Sequence, residues 1–182
     1  MKMTLGFWNI FLLLAILLIG SVSCSSESDA GGITTAMRNR LSDSLNFDAD
    51  AEKKEGVPPV ENQGVLYPQV QSIVAPTQLT LGSFFTIDVT HKLESATDIT
   101  GIMVYVDQAQ SYQIVKQNTD GEQPAGGSTR LSGRLNADAF DIAGYTYPIW
   151  IAFINSDGIS GQRHPWSLSI SYPEQDPIGE VD

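Results

Sequence analysis

Residues Tyr145–Asn155 (YTYPIWIAFIN) constrain the fold more tightly than any other part of the chain. Successive side chains of a β-strand point to opposite faces, so Tyr145, Tyr147, Ile149, Ile151 and Phe153 fall on one side. Pro148, Trp150, Ala152 and Ile154 fall on the other. Both rows are apolar, so the segment reads as a strand that must be covered on both faces. Trp166–Tyr172 (WSLSISY) alternates in the ordinary way, with Trp166, Leu168, Ile170 and Tyr172 facing a core and three serines facing water.

From Val65 the chain is a series of short β-rich runs separated by turn residues, the pattern of an all-β sandwich. Gln69–Val74 is the expected first strand, ended by Ala75-Pro76. Phe85, Ile87 and Val89 alternate with Thr86, Asp88 and Thr90 in a second, half-buried strand. In Asp98–Val106, Ile102, Val104 and Val106 point one way and Met103 and Tyr105 the other. Tyr112–Lys116 fits a short edge strand, Asn118–Ser128 a Gly-rich loop, and Thr129–Leu135 a further strand with Leu131 and Leu135 on one face. The expected fold class is all-β: one antiparallel β-sandwich over residues 65–173, followed by an acidic disordered tail at 174–182. Roughly 110–120 residues suffice for such a domain with its own core.

Asp141-Ile142-Ala143-Gly144-Tyr145 resembles the tyrosine corner of immunoglobulin-like domains, where an Asp-x-Ala/Gly-x-Tyr run precedes the F strand. The resemblance implies an immunoglobulin-like (Ig or fibronectin-type) sandwich. It gives Tyr145 the hydroxyl that bonds back to upstream backbone, with Asp141 opening the corner. Tyr147 then falls where antibody domains carry their second core cysteine. The family disulfide and the third-strand Trp are both missing, as they are in many bacterial and fibronectin-type relatives.

The amino-terminal end reads as an address. Lys2 supplies a positive n-region, and Phe11–Ile19 (FLLLAILLI) is an apolar run too short for a spanning helix, which needs about 20 apolar residues. Gly20, Ser21, Val22 and Ser23 lead to Cys24, the only cysteine of the chain. This resembles the lipobox of bacterial lipoproteins, although Ser21 stands where the family usually has Leu. The resemblance implies a signal peptide over residues 1–23 and a lipid-modified Cys24, hence a cell-envelope protein held to the membrane by that lipid. Ser25 rather than Asp after the cysteine implies outer-membrane sorting if the source is Gram-negative. The alternative is a cleavable signal and plain secretion.

Residues 24–64 are expected to form a tether. Ser25–Gly32 is small and polar. In Ile33–Phe47, Ile33, Met37, Leu41 and Leu45 recur every four residues, one stripe of a short amphipathic helix that must dock to be stable. Asp48–Gly64 mixes acids, lysines and prolines and reads as a solvated linker. Its acids lack the EF-hand glycine and terminal Glu.

If the third strand neighbours Tyr145–Asn155, then Met103, Tyr105, Trp150 and Ile154 gather on an outer face that should be polar. Such a patch marks a contact surface. Three covers compete: the 33–47 helix, a protein partner anchored by Trp and Tyr, and a carbohydrate stacked on Trp150 and Tyr105.

Recognisable catalytic chemistry is absent. The chain has no P-loop, G-x-S-x-G, H-E-x-x-H or C-x-x-C. Its two histidines are isolated: Asp88 and His91 stand three apart on a strand and point to opposite faces, and His164 precedes Pro165 in a turn. No cofactor, metal or enzymatic activity is therefore expected. A net charge of −11 argues against nucleic acid as a partner. The expectation is an envelope lipoprotein presenting a sandwich to a protein partner; a carbohydrate- or peptidoglycan-contacting module is second and an enzyme third.

Overall fold

The alternating segment forms strand β9 (Thr146–Asn155) at the centre of the molecule. Its inward row of Tyr147, Ile149, Ile151 and Phe153 is buried to 1% exposure or less. The computed structural model describes residues 32–61, 69–92, 99–116 and 126–174. The export signal, Cys24, residues 118–125 of the expected Gly-rich loop and residues 175–182 of the expected acidic tail lie outside the described residues, while residues 126–128 of that loop belong to a strand instead.

Among the described residues ten strands form two facing sheets. The first combines β1 (Leu45–Phe47), β8 (Gly126–Leu135), β5 (Phe84–Lys92) and β3 (Gln69–Val74), in that order. The second runs β2 (Ala51–Glu55), β7 (Ser111–Lys116), β6 (Ile99–Val106), β9, β10 (His164–Ser171) and β4 (Gln78–Thr80). Neighbouring strands are antiparallel except β10 with β4. Pro76 separates β3 from β4 where the chain changes sheets, and its carbonyl accepts Trp166 Nε1–H at 2.9 Å. The inner rows meet in a single core: Phe85, Ile87, Val89 and Leu131 from one sheet pack on Ile102, Val104, Ile149, Ile151 and Phe153 from the other.

This is the order of an immunoglobulin-like sandwich. Strands β3, β5 and β8 stand where A, B and E do, and β10, β9, β6 and β7 where G, F, C and C′ do. The two remaining edge positions, those of D beside E and C″ beside C′, are filled by β1 and β2, which precede the rest of the domain in sequence.

The segment expected to be a tether therefore contributes two strands. Residues 48–64 read as a solvated linker because Ala51–Glu55 is a charge run, yet those residues pair with β7 along their length. An edge strand meets water and can keep charged side chains. Lys53 reaches Asp43 at 2.6 Å and Lys116 reaches Asp50 at 2.8 Å. Between Asp50 and β7 the pairing continues in the Lys116 amide, which donates to the Asp50 carbonyl.

Helix α1 (Thr35–Ser44) is the amphipathic helix expected at 33–47, shortened at its end by β1. Thr34 caps it, accepting the Met37 amide. The four-residue stripe turns Leu41 and Leu45 into the core at 0% and 2% exposure. Polar anchors fix the helix across the pole of the sandwich where β9 begins. The buried Arg38 donates to the Asp107 carbonyl at 2.9 Å, and Asn39 accepts the Gln110 amide at 2.7 Å. Gln113 Nε2 donates to the carbonyls of Ser42 and Leu45. Arg40 lies 3.6 Å from Asp138 and 3.8 Å from Asp141.

The tyrosine corner is present, but one strand step later than its motif indicates. Tyr147, not Tyr145, is fully buried, and its hydroxyl donates to the Ile142 carbonyl at 3.0 Å. Residues Phe140–Ile142 form one turn of 3-10 helix, and Gly144 turns the chain at φ +87°. Strand β9 starts only at Thr146, so Tyr145 remains 36% exposed ahead of it. Tyr145 and Tyr147 share a face, and the alternation alone could not choose between them. Burial pushes the Tyr147 phenol well above its usual pKa, with the Asp141 charge adding to the effect. Asp141 itself is exposed and faces Arg40. Tyr172 is likewise 58% exposed rather than inward, because β10 ends at Ser171.

Two substitutions test this packing. A Cβ on Gly133 would lie 2.4 Å from the Asn46 carbonyl oxygen and 2.7 Å from the Phe85 ring. Gly133 is what lets β1 approach and Phe47 meet Phe85 edge-on at 5.5 Å. Gly133→Ala should cost about 1–3 kcal/mol by chemical denaturation; an unchanged midpoint would show that β1 does not dock there. Tyr147→Phe leaves the Ile142 carbonyl without its donor and should cost about 1–2 kcal/mol. Tyr145→Phe should stay within about 0.5 kcal/mol, and the reverse ranking would return the corner to Tyr145.

Candidate functional site

The two outer faces differ in chemistry. Over the four-stranded sheet the outward residues are mostly polar: Thr86, Asp88 and Thr90 on β5 face Ser132, Arg130 and Ser128 on β8, with Phe84, under Arg134, and Val74 as exposed apolar exceptions. Arg130 binds Asp88 through two hydrogen bonds of 2.7 and 2.9 Å, which hold the Asp88 carboxyl below its ordinary pKa. This is the solvent face of an antiparallel sheet.

The centre of the outer face of the six-stranded sheet is apolar, flanked by Glu52 and Lys54 on β2 and by Ser167 and Ser169 on β10, and it brings together all four residues expected there. Met103 pairs with Ala152 and Ile114, and Tyr105 pairs with Trp150, which also meets Pro165. Ile154 follows Ala152 on the same row of β9. Met103, Tyr105 and Ile154 are 0%, 6% and 4% exposed, and Trp150 is half-buried. The face is thus already covered for most of its area by the chain itself.

Helix α1 is not the cover, because Gln113, to which it bonds, shares the inward row with Val104 and Ile151. The cover comes from residues 56–61 and from the loop between β9 and β10. Topology requires a crossing segment: β2 lies at one edge of the six-stranded sheet, whereas β3 packs beside β9 and β10 from the other sheet. The inner face is filled, so the chain crosses outside. Gly56, at φ +99°, donates its amide to the Gln110 carbonyl and starts the crossing. Pro58 is buried, and Glu61 bridges to Ser160, which itself bridges to Ile154.

Arg163 ties the two covering segments together. Its guanidinium donates to the Pro59 carbonyl at 2.9 Å and lies 5.9 Å from the centre of the Tyr105 ring, in cation–π range. Burial raises the Tyr105 phenol above its ordinary pKa. With Tyr105 under Arg163, Trp150 and Tyr105 do not form an open stacking platform for a sugar. Neither the crossing segment nor Arg163 was identifiable from sequence, since Gly56–Glu61 has no periodicity and an arginine before His-Pro looks like a loop residue.

The remaining surface features are modest. A cleft of about 280 Å³ opens between β1 and β2, lined by Asp43, Asn46, Phe47, Lys53 and Gln113 among others. His91 is 7% exposed, stacks edge-on with Phe153 at 5.0 Å, and is held below its usual pKa by burial. Among the described residues no cluster of His, Cys, Asp or Glu could hold a metal ion, and no helix is long and apolar enough to cross a membrane.

The two poles of the sandwich differ in a way that bears on function. At one pole lie the start of β9, the ends of β6 and β10, helix α1 and both limits of the described chain. A Cβ on Gly32 would sit 3.8 Å from Tyr145, and Tyr172 lies against Gly144. The opposite pole carries the turn Asn155–Gly158, where Asn155 Oδ1 accepts the amides of Asp157 and Ile159. The starts of β3, β6 and β8 and the ends of β5 and β7 also lie at that second pole.

No protein-family model matches this chain, and no curated protein does. Among solved structures it is similar to the PKD domain of an M14-like peptidase from a Thermoplasmatales archaeon, at 10% identity and a TM-score of 0.40, covering 58% of this chain and 96% of the other. It is also similar to the SrpA adhesin of Streptococcus sanguinis, at 14% identity and a TM-score of 0.34, covering 66% and 68% of the two chains.

Proposed function

We propose that this protein is a non-catalytic envelope lipoprotein, anchored through Cys24, that holds a β-sandwich on the membrane and presents its far pole to a protein partner. The observation that carries this reading is the separation of the poles. The described chain begins and ends at the pole capped by α1, while the turn Asn155–Gly158 and the described ends of β5 and β7 belong to the other. In variable immunoglobulin domains the binding loops likewise cluster at one end of the sandwich. Met103, Tyr105 and Ile154, the residues first expected to form the contact face, are already buried within the chain. Partner contact is therefore assigned to the far pole, and carbohydrate stacking on Trp150 loses its second ring.

The test uses the full chain in its native host. Cys24→Ala should move the protein from the membrane fraction to the soluble fraction and remove the mass of the attached lipid; retention in the membrane would overturn the anchor. A photocrosslinker at Asp157 should yield one discrete protein adduct, and the same group at Asp138 none. Adducts from Asp138 alone would overturn the assignment of the far pole.

A further inference from the structure

Three exposed aromatic residues gather at the pole where the chain enters. Phe140 is 55% exposed on the 3-10 turn, Tyr145 is 36% exposed beside Gly32, and Tyr172 is 58% exposed beside Gly144. The core does not need them: Tyr145 and Tyr172 lie just outside strands whose inward rows are already complete, and Phe140 opens the 3-10 turn whose Ile142 is the residue turned inward. Building on the lipid anchor proposed above, we infer that Phe140, Tyr145 and Tyr172 seat in the lipid–water interface of the membrane that carries Cys24 and hold the sandwich upright.

Covalent geometry limits the alternatives. Residues 25–31 separate Cys24 from Gly32, and a fully extended chain covers at most roughly 3.3–3.6 Å per residue, so Gly32 stays within about 28 Å of the lipidated cysteine. The ten residues of β9 alone span about 33 Å along the sandwich. The tether is thus shorter than the body it holds, so the α1 pole cannot leave the neighbourhood of the bilayer, and the aromatic contact is what would select the upright orientation from the tilted ones. Aromatic side chains with a polar tip favour the headgroup level, where one end is apolar and the other wet.

Charge does not provide this contact. Asp107, Asp138 and Asp141 lie at the same pole and offset Arg38 and Arg40, so it offers anionic lipid no net positive charge. The chemistry selects a zwitterionic surface, with the rings as the attractive element.

The test is the lipidated full chain in nanodiscs of phosphatidylcholine doped with a headgroup spin label, read by NMR. Signals of Phe140, Gly144, Tyr145 and Tyr172 should be attenuated several-fold more than those of Asp157 and Gly158. Replacing the three aromatics with serine should bring the two poles close together, and doping with phosphatidylglycerol should weaken the contrast. Equal attenuation at both poles in a chain whose mass shows the lipid would overturn this inference and leave the anchor standing. A chain recovered without lipid on Cys24 would overturn both. A concentration-dependent dimer of the Cys24→Ala chain, abolished by the triple serine variant, would assign the aromatics to a second copy instead.

Discussion

The architecture depends on an amino-terminal arm that folds back onto the sandwich and closes it. Residues 35–55 supply α1 across one pole and the outermost strand of each sheet, β1 beside β8 and β2 beside β7. Leu41 and Leu45 complete the core from that arm, and without them the inward faces of β6 and β7 would open to water at the pole. An edge strand by itself is weakly held. Here β1 and β2 are joined through a short turn and to a helix whose buried Arg38 and facing Asn39 are bonded to the turn after β6. The three pieces dock as a unit, and each limits the freedom of the others.

A consequence of that arm is the treatment of the second apolar face. Once β2 occupies the edge beside β7, the chain must cross the width of the six-stranded sheet to begin β3. The crossing brings Glu61 to Ser160, the neighbour of Ile154, and Arg163 fastens Pro59 to the Tyr105 ring. The same topological requirement thus explains why β9 is apolar on both sides. A surface that would invite association is satisfied within the chain, and the poles are left to mediate contacts.

Much of this was legible in the residues. The alternation of β5, β6, β9 and β10 identified the strands and their inward rows, and the two apolar rows of β9 required a second cover. The four-residue stripe identified α1 as a helix that must dock. What sequence could not supply is where non-local partners lie. Ala51–Glu55 looks like a linker because an edge strand in water carries the same charges a linker does. The corner tyrosine was displaced by two because Tyr145 and Tyr147 have the same parity, and only the length of the 3-10 turn decides which enters the strand. Arg38 is polar on a helix stripe and gave no sign that it would be 4% exposed. Of the three competing covers only the helix has a visible stripe, whereas a proline-containing crossing segment has no pattern to read.

The most direct test of the central role of the arm is native-state hydrogen exchange on the full chain, residue by residue. The Asp48 amide donates to the Ser132 carbonyl, and the Asn136 amide donates to the Ser44 carbonyl, so both report on docking of the arm. If the arm is integral, these amides and the bonded amides of β2 should exchange only with the cooperative opening that releases β6 and β9. Exchange of Asp48, Asn136 and β2 at the rate of an unstructured chain, with β6 and β9 still protected, would contradict the account.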